Sequence, residues 1–413
     1  MRRDSRLARP PALTQRLEYT SRHNVSVGRH GWLRLMPAYS ARLVDELLAD
    51  SKVTDVILDP FGGTGTTALL AASKGRYAVS LDINPFLVWL ARAKLATYSL
   101  DDLRQVREAQ RAIAMSLHGR AVSLEASPPI HGIERWWSHE DVELLRRLKA
   151  GIRKARVSTQ ARDLLLVAFC RVIYDRAKLT RRHPSLSFRT PTPEQVELPL
   201  PDEPFLDAIT AVLPAAADNP QGAAISECCD ARDLNTLTRR SIDIVITSPP
   251  YPNRITVIRE LRPYMYWLDY LKNSSDSGAL DWRAIGGTWG AATHRLKNWE
   301  LPPTANVPPI ILAVAKKIAA KRKPAAKIMA NYILRYFADM SQHVEALASV
   351  MRHGGRFHYV VGNSSFYGNI VETEKALMHT FVRAGFVDVR ARALRKRTSK
   401  TELFEYVVEG RYP

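Results

Sequence analysis

The sequence predicts a doubly wound α/β domain on a mostly parallel seven-stranded sheet, and three observations carry the prediction. Short apolar or β-branched runs recur at 53–58, 77–81, 223–229, 242–246 and 356–362, each closing on glycine, proline, threonine or an acid. Such runs are expected of strands buried on both faces of a parallel sheet. Segments with helical spacing alternate with them, and the chain finishes on two alternating stretches, 387–394 and 403–409, that predict an antiparallel, hairpin-like end.

Taken in order, the first thirty residues carry Arg2, Arg3, Arg6, Arg9 and the pair Pro10-Pro11 without a helical or strand period. They predict a basic N-terminal arm over 1–30, with order beginning near Trp32. A helix is expected from Ser40 through Leu48, with Leu43, Val44, Leu47 and Leu48 on one face and Ser40 as its cap. The first strand runs into Asp59-Pro60-Phe61-Gly62-Gly63-Thr64-Gly65-Thr66-Thr67, a small-residue helix follows over 68–73, and Gly75 ends it. The second strand closes on Asp82 and Asn84.

Between 101 and 222 the pattern turns helical, predicting a helical insertion into a catalytic domain made of 31–100 and 223–413. Trp136-Trp137, Leu144, Leu145, Leu148 and Ile152 are interleaved with Arg146, Arg147, Lys149 and Arg153, so a basic outer face is expected. Arg181-Arg182-His183 and a proline-rich stretch to Pro204 read as a loop. Residues 252–330 read as a second, irregular and basic insertion, a candidate target-recognition region: Arg254, Arg259 and Arg262 come first, Gly286-Gly287 marks a loop, and Lys321, Arg322 and Lys323 sit beside Pro324. Two helices, 330–351 and 370–384, complete the pattern.

The chemistry centres on Asp243-Ile-Val-Ile-Thr-Ser-Pro-Pro-Tyr251. The strand stops at two prolines, which lack N–H groups and fix φ, so they hold a rigid corner whose carbonyls can accept hydrogen bonds. Ser248 adds an oxygen and Tyr251 a flat aromatic face. Together they form a pocket rim able to stack a planar ring and grip its exocyclic amine.

Composition narrows the class. Sixty Lys and Arg against 41 Asp and Glu give a net charge of +19, which favours a polyanionic partner, nucleic acid first. Cys170, Cys228 and Cys229 match neither a disulfide framework nor a metal-ligand spacing, and no run of residues is apolar enough for a membrane span. A soluble protein of the reducing cytoplasm is expected.

Gly63-x-Gly65-x-x-Ala68 with Asp82 downstream formally matches a dinucleotide fingerprint, leaving a nicotinamide oxidoreductase as one alternative. A Walker A loop is excluded, since no lysine follows the glycines. The Gly-rich segment 59–67 together with Thr247-Ser-Pro-Pro-Tyr251, in a seven-strand pattern ending antiparallel, resembles the S-adenosylmethionine-dependent DNA amino-methyltransferases. The resemblance implies a Rossmann-like methyltransferase sheet and assigns the cofactor to Asp59, Phe61, Gly62, Gly63, Thr64, Gly65, Asp82, Asn84 and Asp230, with Tyr39 as the preceding aromatic. It implies catalysis by Ser248, Pro249, Pro250 and Tyr251 on a base flipped from double-stranded DNA, with the basic residues of 252–330 as DNA contacts. A serine at the first position leans toward cytosine N4, with adenine N6 the alternative; restriction-modification or epigenetic marking is the expected setting, and a restriction endonuclease a candidate partner. Two departures stand out: the Gly-rich loop precedes the Ser-Pro-Pro-Tyr run, and a long insertion separates the second and third strands. A tRNA guanine-N2 methyltransferase would share both motifs, and a non-catalytic DNA-binding protein would share the fold.

Overall fold

The computed structural model describes residues 14–35, 39–117, 124–179, 188, 203–288, 290–397 and 402–413. The N-terminal half of the sheet is laid down by α1 (Ala41–Leu47), β1 (Val56–Asp59), α2 (Thr66–Ser73), β2 (Tyr77–Asp82) and α3 (Pro85–Leu95). Local chemistry sets these boundaries. Ser40 Oγ accepts from the Leu43 amide at 3.4 Å to cap α1, and Asn84 Oδ1 accepts from the Phe86 amide at 3.0 Å with Pro85 in the first turn of α3. The first strand is shorter than its apolar run suggests, because Val53 lies outside the sheet and is 65% exposed.

Helices α4 (Leu100–Leu117), α5 (His139–Lys154), α6 (Thr159–Arg176) and α7 (Pro204–Ala216) follow. β3 (Ala224–Cys228) and β4 (Ile242–Thr247) return to the sheet. Then come α8 (Val257–Trp267), α9 (Ser274–Arg283), α10 (Ala291–Lys297), α11 (Pro309–Ala319) and the long α12 (Ala326–Val350). β5 (Met351–Gly362), a small hairpin of β6 (Ser364–Phe366) and β7 (Asn369–Val371), α13 (Thr373–Arg383), β8 (Val387–Lys396) and β9 (Phe404–Arg411) complete the chain.

The main sheet has seven strands in the order β3-β2-β1-β4-β5-β9-β8. β9 is antiparallel to both neighbours, and the remaining neighbouring strands pair in parallel. The order of strand addition reverses between β1 and β4: β2 and β3 build outward on one side, β5 on the other. In open α/β sheets that reversal leaves a crevice at the carboxyl ends of the two strands, the usual place for a ligand. Ile57 pairs with Ile244 and Leu58 with Val245, so the Gly-rich loop after β1 and the Ser-Pro-Pro-Tyr run after β4 leave the sheet side by side.

Several expectations need correction. Residues 14–30 are not an arm. They form three short 3-10 turns, with Tyr19, Asn24, Arg29 and His30 buried, and Arg29 donates to the carbonyls of Lys94, Ala96, Ala215 and Ala216 at the ends of α3 and α7. Arginine content misleads here because a guanidinium can serve backbone carbonyls as well as solvent. Residues 1–13 lie outside the described residues.

The region 252–330 is not irregular either, since it folds into α8 to α11. α8 belongs with the helices of the insertion: Trp267 meets Trp137 edge-on at 5.8 Å and Phe169 at 6.0 Å in one core with Leu148, Leu164 and Leu261. Pro263 inside α8 masks its helical period. Near the C-terminus, 370–372 close a hairpin before α13 begins at Thr373. Arg181, Arg182, His183 and most of the proline-rich stretch fall outside the described residues.

Candidate active site

A cavity of about 470 Å³ opens at the carboxyl edge of β1, β2, β3 and β4. Phe61, Gly62, Gly63, Thr64, Asp82, Asn84, Asp230 and Tyr39 line one part of it, and Ser248, Pro249, Pro250 and Tyr251 line another. The two motifs, nearly two hundred residues apart in sequence, therefore share one space.

In the first part the backbone passes close to the second strand. A methyl group on Gly62 would overlap Ser80 Oγ, and Gly63 and Gly65 sit at φ 52° and 77°, the left-handed region where glycine carries no steric penalty. Asp82, half-buried, receives the Gly63 amide on Oδ2 at 3.0 Å and the Asn84 amide on Oδ1 at 2.8 Å. Burial pushes its carboxyl up to about 6, partly offset by those amides. Each oxygen keeps lone-pair capacity directed at the cavity, which suits a vicinal diol.

Asp230 has both oxygens in the fork of Arg232, at 2.9 and 2.7 Å, and Arg232 also reaches Asp339 at 2.9 Å. Burial works against the charge, yet the guanidinium holds Asp230 below the ordinary carboxylate range. Behind this wall His343 bridges the Ala231 carbonyl at 2.7 Å and the Tyr359 hydroxyl at 2.6 Å while its ring edge meets Phe61 at 4.8 Å. Burial lowers His343 to about 4, so the imidazole is neutral at pH 7.

Asp59 and Gly65 do not reach the cavity wall. Asp59 is fully buried and accepts from Thr247 Oγ1 at 2.6 Å, Thr67 Oγ1 at 2.7 Å, the Phe61 amide at 3.1 Å and Tyr39 Oη at 3.3 Å. It ties the ends of β1 and β4 together from behind, and burial raises it to about 6. Its expected contact with cofactor is corrected to a positioning one. Gly65 instead caps α2 and packs toward Ala91.

In the second part, Ser248 Oγ donates to the Val360 carbonyl at 3.1 Å. Ser248 Oγ also lies 3.5 Å from the Tyr251 hydroxyl, a longer contact; with its single hydrogen on the shorter bond to β5, its lone pairs remain as acceptors. The Pro249 carbonyl has no donor among the described residues, whereas the Pro250 carbonyl accepts from Tyr336 at 2.8 Å. Tyr251 is half-buried against Gly362, with the Arg397 guanidinium 5.5 Å from its ring centre. One face of that ring is thus already covered.

Of the basic candidates, Arg254 and Arg259 are exposed beside lining residues 255–258 and 260. Arg262 is not at the mouth: its guanidinium lies 4.9 Å from the Trp136 ring, joining α8 to the insertion. Lys321, Arg322 and Lys323 are exposed in the turn between α11 and α12. Because α12 leads into the start of β5, its N-terminal end points past the carboxyl edge of the sheet. That turn stands roughly 15 Å along the helix from Tyr336, at about 1.5 Å per residue.

Sequence reasoning missed part of the wall. Tyr19, Thr20 and Ser21 line the cavity, as do Asp281, Arg283 and 284–287 after α9, and Arg395, Arg397 and Glu405 from β8 and β9. Of the last group, Glu405 falls within the alternating stretch 403–409, whereas Arg395 and Arg397 lie beyond the stretch 387–394. Among the described residues no cluster could hold a metal ion, and no helix is long and apolar enough to cross a membrane.

The chain is 24% identical over 274 residues to the type II methyltransferase M.BsoBI of Geobacillus stearothermophilus, covering 59% of this chain and 53% of that one. A 54-residue segment is 37% identical to the type II methyltransferase M.MjaII of Methanocaldococcus jannaschii, 13% of this chain and 10% of the relative. The chain thus spans about half the length of the first relative and a tenth of the second. Among solved structures, TrmN from Thermus thermophilus gives a TM-score of 0.33 at 11% identity, covering 96% of this chain and 53% of that one. A SAM-dependent methyltransferase from Methanosarcina mazei gives 0.31 at 10% identity, covering 87% and 93%. Residues 37–92, which carry the Gly-rich loop and Asp82, match the DNA methylase family of the N6/N4 kind. That match implies S-adenosylmethionine as the cofactor, and with the two relatives it supports a DNA amino-methyltransferase.

Proposed function

We propose that the chain transfers a methyl group from S-adenosylmethionine to the exocyclic N4 of cytosine in DNA, acting on a base flipped out of the duplex. One observation carries the proposal. A hydroxyl whose hydrogen is already engaged, Ser248, stands next to the acceptor carbonyl of Pro249, in the same cavity as a glycine-built cradle and a half-buried acid.

The residues fit the cofactor. Asp82 would take the ribose hydroxyls, the wall at Asp230 would border the adenine, and Phe61, Gly62, Gly63 and Thr64 would follow the methionine part, with Tyr39 and Asn84 shaping the ends. When bound, S-adenosylmethionine supplies an electrophilic methyl group.

The rest is the chain's own work. An exocyclic amine is a poor nucleophile because its lone pair is delocalised into the ring. Ser248 Oγ and the Pro249 carbonyl accept its two N–H groups, drawing the nitrogen toward tetrahedral geometry and aiming its lone pair. Pro249 and Pro250 keep that corner rigid, and Tyr336 anchors it through the Pro250 carbonyl. Tyr251, with one face packed, offers its remaining surface to the extruded ring.

Outside the cavity, Arg254, Arg259 and the turn at Lys321, Arg322 and Lys323 would meet backbone phosphates, in keeping with the net charge of +19. A restriction-modification setting, with a cognate endonuclease, fits the type II relatives. The test is transfer of labelled methyl to unmethylated genomic DNA followed by digestion and mass detection of nucleosides. N4-methylcytosine supports the proposal, N6-methyladenine moves it to the other base, and label in tRNA alone contradicts it.

A further inference from the structure

The Ser-Pro-Pro-Tyr run leads into a part of the cavity wall to which the chemistry above gives no task. Asn253, Ile255, Thr256, Val257 and Ile258 all line the cavity, so the turn after Tyr251 and the first turn of α8 border it together. This stretch stands close to the corner assigned to the amine. A methyl group on Gly286 would lie 3.7 Å from Pro250 Cβ and 3.7 Å from the Tyr332 hydroxyl, and that hydroxyl accepts from the Arg254 amide at 3.3 Å. Pro250 and Arg254 are thus bridged by one residue and one side chain.

The polar groups of the stretch are donors without partners. Thr256 holds the cap position of α8, yet its side chain takes no amide of the first turn. The residue is 6% exposed, and its Oγ1 is buried with no hydrogen-bond partner among the described residues. Buried polar atoms are nearly always paired, so an orphan in a cavity wall calls for a ligand. The amides of Val257 and Ile258 also have no partner among the described residues, and amides at a helix start point back along its axis, here toward 253–255. Asn253 Oδ1 accepts from the Ile255 amide at 3.1 Å, which sets the side chain's orientation and leaves Nδ2 as a donor. Arg254 and Arg259 flank the stretch and are exposed. Glu260, one turn further along α8, also lines the cavity, and its opposing charge lies within electrostatic reach of Arg262.

Neutral donors gathered at a helix start, with an arginine on either side, suit an anion. Resting on the amino-methyltransferase reading, we infer that the start of α8 is a phosphate site: Asn253 Nδ2, Thr256 Oγ1 and the amides of Val257 and Ile258 hold a backbone phosphate next to the flipped nucleotide. A base turned out of the duplex carries its sugar and flanking phosphates with it. A grip on one of those phosphates fixes the nucleotide at its second end while Ser248 and Pro249 hold the amine, and it opposes return to the stack. Asn253 and Thr256 read no sequence in this role, since every nucleotide carries the same group.

The experiment uses the full chain with S-adenosylhomocysteine and a duplex carrying the methylation site mapped on genomic DNA with the wild type. The phosphate on the 5′ or the 3′ side of the target nucleotide is replaced by a neutral methylphosphonate, and duplex affinity is measured. The wild type should lose about 10–100-fold on one of the two substitutions, the range of hydrogen bonds to a charged group. Thr256→Val should bind the unmodified duplex about 10-fold more weakly, with cofactor affinity unchanged, and the methylphosphonate penalty should shrink by the same factor. Thr256→Ser keeps the hydroxyl and should match the wild type, which separates loss of the donor from a folding defect. A wild type indifferent to both substitutions, or a full penalty retained in Thr256→Val, overturns this inference alone. Weaker cofactor binding by Thr256→Val with duplex affinity intact also overturns it and gives the site to the cofactor's carboxylate. A wild type that methylates no DNA overturns the proposed function and this inference together.

Discussion

The two parts of the cavity are built on opposite principles. The cofactor part is made by backbone: glycines at left-handed φ, amides of Gly63 and Asn84 on one carboxylate, and a loop that passes against Ser80. The base part is made by side chains drawn from distant segments, with Ser248 on Val360, Pro250 on Tyr336, and Tyr251 against Gly362 and Arg397. A backbone site needs a short contiguous motif, so it is readable in sequence and matches a known family over 37–92. A side-chain site needs only that the fold bring its members together, so it can change its contacts without changing its frame.

The comparison breaks most readily at Ser248. Ser248→Ala removes one acceptor for the amine and should cut methyl transfer by roughly 10²–10³, the usual loss on removing one catalytic hydrogen-bonding group. Cofactor affinity, measured by titration calorimetry, should stay within error. Asp82→Ala should do the reverse: cofactor affinity falls by roughly 10–100-fold for a charge-assisted contact, while transfer at saturating cofactor is largely kept. Equal loss of both properties in each variant would dissolve the division into two parts.

A smaller effect comes from pH. Asp82 titrates near 6, so its ionised form and the cofactor affinity that needs it should decline as pH falls through that value and level off above it. Asp82→Asn should remove the dependence. Unfolding does not mimic it. Asp59 and Asp82 are raised from 3.8 to about 6, so the folded state binds these protons more tightly than the unfolded chain. Their share of stability therefore increases, if anything, as pH falls from 7 toward 4. A calorimetric titration of cofactor between pH 5 and 8, flat in the wild type, would contradict the role of Asp82.

Weakest per residue are the phosphate contacts. Replacing Lys321, Arg322 and Lys323 together by alanine should weaken binding to all DNA sequences alike and lower the slope of log affinity against log salt by about 3, near one per contact. An unchanged salt slope would place DNA on another face.

The same contrast separates what is legible in the amino-acid sequence from what is not. Seven strands, their order of appearance and the antiparallel close are legible because buried parallel strands leave uninterrupted apolar runs such as Ile244 to Ile246. Asp82 is legible as the acid that ends β2. The misreadings share one cause, since local pattern does not report the partner. Arg29 looks like a solvated charge and serves four carbonyls of two helices; Asp59 looks like a ligand and is used up on Thr247, Thr67, Phe61 and Tyr39. Glu405 is visible only as a polar position of an alternating strand and Arg395 lies just past one, and their register, with Glu405 opposite both Gly362 and Arg395, is a fact of the fold.

The most direct measurement is methyl transfer from labelled S-adenosylmethionine to unmethylated genomic DNA by the wild type and Ser248→Ala in parallel, read as modified nucleosides by mass. N4-methylcytosine from the wild type, almost none from the variant, and equal cofactor affinity for both is the predicted result. Equal transfer by the two proteins, or no methylated base in DNA from a wild type that binds the cofactor, would contradict the placement of the chemistry at Ser248.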